Sequence, residues 1–158
     1  MKYMGYMPND FINGEGISVS LWVSGCPLKC KGCHNPESWD PDYGYDIPED
    51  IVDKLIKALF DNNIQRNLSI LGGEPLCEDN RHFIRSIIEE IKTKYPKIKI
   101  YLWTGYTLNE LMEFDDEDIL YILNHINVLI EGRFDIKQRD VTLSLRGSKN
   151  QNIVHLEV

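Results

Sequence analysis

Nowhere in the 158 residues is there an apolar run longer than a few positions, so the sequence offers no membrane span. The opening Met1-Lys2-Tyr3-Met4-Gly5 lacks the charged-then-apolar order of a secretory signal, and a cytoplasmic protein is expected. Internal repeats and low-complexity stretches are missing too. A single domain over 1–158 follows, long enough to bury its own core without disulfides. Positive charge is scarce: 17 Lys and Arg face 25 Asp and Glu, a net charge of −8 with no Lys/Arg-rich face in the sequence. Direct binding to a nucleic-acid backbone is therefore not expected. Cysteine is scarce as well, with four in the chain. In a leaderless chain of this size they point to a reducing compartment, where clustered thiols bind metal or do chemistry.

What is present is concentrated. Cys26, Cys30 and Cys33 fall within one short loop, Cys26-Pro-Leu-Lys-Cys30-Lys-Gly-Cys33. Closely bunched thiolates suit an iron-sulfur cluster, and three of them would leave one iron of a 4Fe-4S cubane open to a small molecule. A structural zinc site needs four ligands. Only half such a pattern is seen, but closure by Cys77 or His34 remains the alternative, even though His34 directly follows Cys33. Cys77 otherwise reads as a buried or incidental thiol.

Alternating or short apolar runs predict strands at Ile17–Val23, Leu68–Leu71, Ile98–Trp103, Val128–Glu131 and Ile153–Val158. Helical periods lie between them: Ile51, Leu55 and Leu59 behind Pro48, and Phe83 to Ile91 stopped by Pro96. Thr107-Leu-Asn-Glu110 has the form of a capping box, and Asp116 is placed to open a further short helix. Strands alternating with helices predict an α/β fold, a single-domain open partial (β/α) barrel with a mostly parallel sheet. The unusual segments each begin where a predicted strand ends: the three-Cys loop, Gly72-Gly73-Glu74-Pro75, Thr104-Gly105 and Glu131-Gly132-Arg133. Carboxyl ends of parallel strands share one edge, so these pieces are expected to converge on one site. The glycines of Gly72–Pro75 allow close approach of a ligand to the backbone, and Glu74 with its neighbouring carbonyls is expected to face outward as an acceptor for a cationic amine. An ordinary strand-to-helix turn is the plain alternative.

The Cys-x3-Cys-x2-Cys loop followed by Gly72-Gly73-Glu74-Pro75 resembles the hallmark of radical S-adenosylmethionine enzymes. Asn13-Gly14-Glu15-Gly16, Ser24-Gly25-Cys26-Pro27, Cys33-His34-Asn35-Pro36 with Trp39, Trp103-Thr104-Gly105-Tyr106, Glu131-Gly132-Arg133-Phe134 and Arg146–Gln151 are similar, in order, to the activating proteins of anaerobic, class III ribonucleotide reductases. Glu15 stands where that family commonly has proline, and Cys77 lies outside its ligand set.

The resemblance implies a 4Fe-4S cluster on Cys26, Cys30 and Cys33. It implies S-adenosylmethionine on the open iron, its amine at Gly72, Gly73, Glu74 and Pro75, with His34, Thr104 and Glu131 as further cofactor contacts. For Thr104 and Glu131 a capping hydroxyl and a solvated carboxylate are the competing readings. The implied partners are the catalytic subunit of the anaerobic reductase, as protein substrate, and a flavodoxin-like electron donor. Arg146-Gly147-Ser148, Asn150 and Gln151 are expected at the opening where the reductase docks. Trp22, Trp39 and Trp103 read as core or pocket wall, and His82, His125 and His155 as surface residues. Activation of another glycyl-radical enzyme, and a non-enzymatic iron-sulfur or zinc module, are the alternative functions.

Overall fold

A computed structural model describes residues 1–156; the last two positions of the strand predicted at Ile153–Val158, Glu157 and Val158, lie outside it. Seven strands form one open sheet in the order β3-β1-β2-β4-β5-β6-β7. They are β1 (Lys2–Asp10), β2 (Ser18–Val23), β3 (Tyr45–Asp46), β4 (Asn67–Gly72), β5 (Ile100–Trp103), β6 (Val128–Glu131) and β7 (Asn152–His155). The middle of the sheet, β2-β4-β5-β6, is parallel. The flanks β1, β3 and β7 are antiparallel. The sheet does not close into a barrel, and the α/β class predicted above holds.

β1, like the two-residue β3, was not revealed by periodicity. Its sequence carries Gly5 and Pro8, and its pairing with β2 slips between Tyr3 and Gly5 and again between Met7 and Asp10. Such irregularities absorb a glycine and a proline that would break a regular ladder.

Helices α1 (Ile51–Leu59), α2 (Arg81–Lys94), α3 (Leu108–Glu113) and α4 (Glu117–Leu123) fill the crossovers. The capping box at Thr107 and Glu110 is present, and Asp116 accepts from the N–H groups of Asp118 and Ile119. The helices cover one face of the sheet. Along each strand every second residue joins that core: Val19, Leu21, Val23, Leu68, Ile70, Ile100, Leu102 and Leu129. The alternate residues face the other way, as Ser18, Ser20, Trp22, Ser69, Leu71, Tyr101, Trp103 and Ile130. That second face leads to the strand-end edge, where Trp22, Leu71 and Trp103 become the walls of a cavity. Among the described residues no helix is long and apolar enough to cross a membrane.

Candidate functional site

At the carboxyl ends of the parallel strands lies a cavity of about 590 Å³, lined among others by Cys26, Cys30, Cys33, His34, Gly73 and Thr104. The pieces predicted to converge do so. All three thiols are free and half-buried. The cysteine loop is held at its start by backbone bonds from Gly25 N to Ser38 O (2.7 Å) and from Cys26 N to Trp39 O (3.2 Å). Within the loop, Cys33 N donates to Cys30 O, and Gly32 (φ +79) takes the left-handed conformation needed to turn the chain back. Burial pushes the Cys26 thiol up, offset in part by the N–H groups of Lys29 and Leu28.

The Gly72–Pro75 turn is welded to the cysteine loop. Gly73 N donates to Val23 O (3.0 Å) and Glu74 N to Gly25 O (2.7 Å), while Asn80 Nδ2 donates to both Ser24 O and Glu74 O. The expectation that Glu74 faces outward is corrected here. Its side chain is only 1% exposed, and its carboxylate accepts from Thr104 Oγ1 (2.8 Å), Gly105 N (2.6 Å) and Leu76 N (2.9 Å). The reason is geometric: three donors from two neighbouring strand ends converge inside the turn, and they offset the cost of burying a carboxylate. Burial still wins, and the carboxyl is raised to about 7. Gly72, Gly73 and Glu74 of the turn line the cavity, and the Gly73 carbonyl accepts no hydrogen bond among the described residues.

The remaining expected residues divide. Thr104 lines the cavity but is buried, with its hydroxyl on Glu74. His34 lies on the cavity wall, its ring 5.7 Å from that of Phe134. Pro75 is buried beneath the turn. Glu131 does not line the cavity; Oε2 accepts from Leu108 N at the start of α3 and Oε1 from Asn152 Nδ2. Cys77 is buried on the far side of the turn, where its thiol is pushed up to about 11. Trp22 and Trp103 form cavity wall, and Trp39 borders a second hollow behind the cysteine loop. His82 and His155 are exposed, while His125 is half-buried and stacks on Tyr121.

Other contributors were not legible in the sequence. Ile12 and Asn13 reach the cavity from the β1–β2 loop, which is pinned by the buried Asp10: its carboxylate accepts from Ile12 N, Asn13 N, Asn13 Nδ2 and Ser20 Oγ. Leu143 and Leu145 reach it from the segment before β7, and Leu145 holds a left-handed φ of +64 while its carbonyl accepts from Trp103 Nε1. Nothing local marks a leucine for that conformation. Arg146, Gly147 and Gln151 also line the cavity, as expected of this segment. Arg146 donates to Gln151 O, and its buried Nε has no partner among the described residues.

Chemically, the donor set is three thiols around a cavity wider than one ion. Among the described residues no three Cys, His, Asp or Glu side chains are gathered closely enough to hold a single metal ion. Three bunched thiols beside a cavity are the kind of donor set that an iron-sulfur cluster takes.

Comparison with known proteins points to an iron-sulfur domain. Residues 12–154 match the family described as 4Fe-4S single cluster domain. The anaerobic ribonucleoside-triphosphate reductase-activating protein of Vibrio cholerae is 40% identical over 156 residues, covering 98% of this chain and 97% of its own. The protein of the same name from Escherichia coli K12 is 36% identical over 157 residues, covering 99% of each chain. That of enterobacteria phage T4 is 35% identical over 153 residues, covering 97% of this chain and 93% of its own. On likeness that runs nearly from end to end, the chain belongs to the family of anaerobic ribonucleoside-triphosphate reductase-activating proteins.

Proposed function

We propose that this protein activates an anaerobic ribonucleoside-triphosphate reductase by reductive cleavage of S-adenosylmethionine. The observation that carries the reading is the meeting of Cys26, Cys30 and Cys33 with the Gly72–Pro75 turn at one strand-end cavity. Cys26, Cys30 and Cys33 would hold the 4Fe-4S cluster. When bound, the cluster supplies an electron to the sulfonium of the cofactor, giving methionine and a 5′-deoxyadenosyl radical that takes hydrogen from a glycine α-carbon of the reductase.

The chain's own residues do the rest. The Gly73 carbonyl is an acceptor for the methionyl amine, on a turn that Glu74 and Thr104 hold rigid. His34 and the walls of Trp22, Leu71 and Trp103 shield the reacting atoms from water. Arg146 offers a cation at the cavity, suited to a carboxylate of the cofactor or of the incoming protein. The openness of the sheet fits a substrate that is itself a protein and brings its glycine on its own loop. A flavodoxin-like protein is the proposed electron donor, and the cytoplasm the proposed compartment.

The test is anaerobic reconstitution with iron and sulfide, then addition of S-adenosylmethionine and dithionite. Methionine and 5′-deoxyadenosine in equal amounts are expected, and a glycyl radical by electron paramagnetic resonance once the reductase is added. Absence of cofactor cleavage by cluster-loaded protein would overturn the reading.

A further inference from the structure

The loop between β1 and β2 takes no part in the chemistry described so far, yet Ile12 and Asn13 of that loop line the cavity. It leads into Ser18, the first residue of β2, whereas the cysteine loop leaves from the last. The loop folds back over the second face of the sheet. It is held there at the paired residues Ser20 and Ser69, one side-chain step before Trp22 and Leu71, which wall the cavity. Ser20 Oγ donates to Asp10 and Ser69 Oγ to Asn13 O, so the two hydroxyls tie the loop down. Gly14 makes the close approach possible: its φ is +135, and a Cβ on it would collide with Ser18 Oγ. Asn13 therefore meets the cavity from below Trp22 and Leu71, while the cysteines meet it from beyond them.

Asp10 is a buried charge without a role in that chemistry. It is 4% exposed, and its carboxylate accepts from Ile12 N (2.9 Å), Asn13 N (3.3 Å), Asn13 Nδ2 (2.7 Å) and Ser20 Oγ (2.6 Å). Burial pushes the carboxyl up, but the bonds from Ser20, Asn13 and Ile12 outweigh it and hold the group below its usual value. An ionised carboxylate only accepts. The amide atom of Asn13 that faces it is therefore Nδ2, and Oδ1 is turned the other way. With N and Nδ2 on Asp10 and O on Ser69 Oγ, Oδ1 is the one polar atom of Asn13 without a partner among the described residues. An acceptor so firmly held in a cavity-lining residue is pre-organised for a ligand. Four donors already cover the neighbouring carboxylate, so no bare charge stands there, and the matching ligand group is a neutral N–H or O–H.

We propose that Asp10 is a positioning residue for the reaction, acting through Asn13, whose Oδ1 accepts a hydrogen bond from a neutral donor of the molecule held in the cavity. The inference rests on the activase reading above, which supplies such a donor from either of two sources: the hydroxyl and amino groups of the adenosyl part of the cofactor, or a backbone N–H of the chain that brings the glycine. Either one needs a fixed point of reference, because the radical has to form within reach of the α-carbon it attacks. Asp10 on β1, Ser20 on β2 and Ser69 on β4 belong to three neighbouring strands, and together they fix this one amide.

The experiment uses a swap. Asp10→Asn keeps one acceptor oxygen for the N–H groups of Ile12 and Asn13 but sets an NH2 group against Asn13 Nδ2, donor against donor, while Ser20 Oγ can accept in place of donating. Asp10→Asn/Asn13→Asp restores a bond between the two side chains with donor and acceptor exchanged, and leaves a carboxylate oxygen in the place of Oδ1. In apo protein the side-chain amide protons of Asn13 should exchange with solvent at least about tenfold faster in Asp10→Asn than in wild type. In cluster-loaded proteins of equal iron content, the readouts are S-adenosylmethionine affinity and, with dithionite as reductant, the glycyl radical formed on the reductase per 5′-deoxyadenosine. Asn13→Ala and Asp10→Asn should each lower one of the two by about three- to tenfold, the worth of one hydrogen bond. The swap should recover it, and Asp10→Asn/Asn13→Ala should be no worse than Asn13→Ala alone. Weaker affinity assigns the donor to the cofactor; fewer radicals per cleavage at unchanged affinity assigns it to the glycine-bearing chain. Wild-type values of both readouts in Asn13→Ala overturn the proposal. A loss in Asp10→Asn that the swap does not recover, or that adds to the loss in Asn13→Ala, makes Asp10 a structural residue and overturns its positioning role. Wild-type protein that binds the cofactor without cleaving it overturns the activase reading, and the affinity comparison still judges the amide.

Discussion

The hydroxyl of Thr104 donates to the buried carboxylate of Glu74 across 2.8 Å, joining residues thirty positions apart at the ends of β4 and β5. Because the same carboxylate also takes Gly105 N and Leu76 N, one side chain fixes the spacing of two strand-end turns. Glu74 is thereby a brace for the cavity wall. Its carboxylate is taken up by these three donors.

That brace predicts a pH dependence. Burial raises the Glu74 carboxyl from 4.5 to about 7. Between those values the folded protein keeps a proton that the unfolded chain has released, so this group's contribution to stability is full below about pH 4.5 and is lost as pH rises to about 7. At about 1.4 kcal/mol per unit the loss is about 3 kcal/mol. Denaturant unfolding of the apo protein between about pH 5 and about pH 7 should show the decline, and Glu74→Gln, which cannot titrate there, should flatten it. An equal slope in both proteins would refute the assignment.

Each of Cys26→Ala, Cys30→Ala and Cys33→Ala should abolish stable cluster assembly. Cys77→Ala should retain it, because that thiol is buried behind the turn with its pKa near 11. Iron and sulfide content and the visible absorption of anaerobically reconstituted protein decide the matter. Loss of the cluster in the Cys77 variant alone would move the ligand set.

Gly73 is constrained by packing, not by a left-handed backbone. A Cβ there would stand 2.5 Å from Gly25 O, the carbonyl just before Cys26. Gly73→Ala should therefore cost about 1–3 kcal/mol of stability through overpacking and loosen both the cluster and the cofactor site. Thermal unfolding with iron content and S-adenosylmethionine affinity gives the readout. Wild-type stability and affinity in the variant would mean that the two turns are free to separate.

Glu131→Gln should keep cofactor cleavage and lower stability by about 1 kcal/mol, since one of its two acceptor contacts, to Leu108 N or Asn152 Nδ2, is weakened. A variant that folds with wild-type stability but no longer cleaves S-adenosylmethionine would return Glu131 to the list of cofactor ligands.

Spacing and local pattern were enough to identify the three-Cys loop, the four central strands, both long helices and the capping box at Thr107, because each depends on residues close together in the chain. They also placed the unusual segments at strand ends, and the parallel sheet brought those ends to one edge. β1 stayed hidden because Gly5 and Pro8 break its alternation, and its pairing is sustained only by the neighbouring strands. The inward turn of Glu74, the hydrogen bonds of Glu131 to Leu108 N and Asn152 Nδ2 and the left-handed Leu145 were decided by the tertiary structure alone. A carboxylate turns toward whichever donors folding brings within reach, and one-dimensional order does not contain that distance.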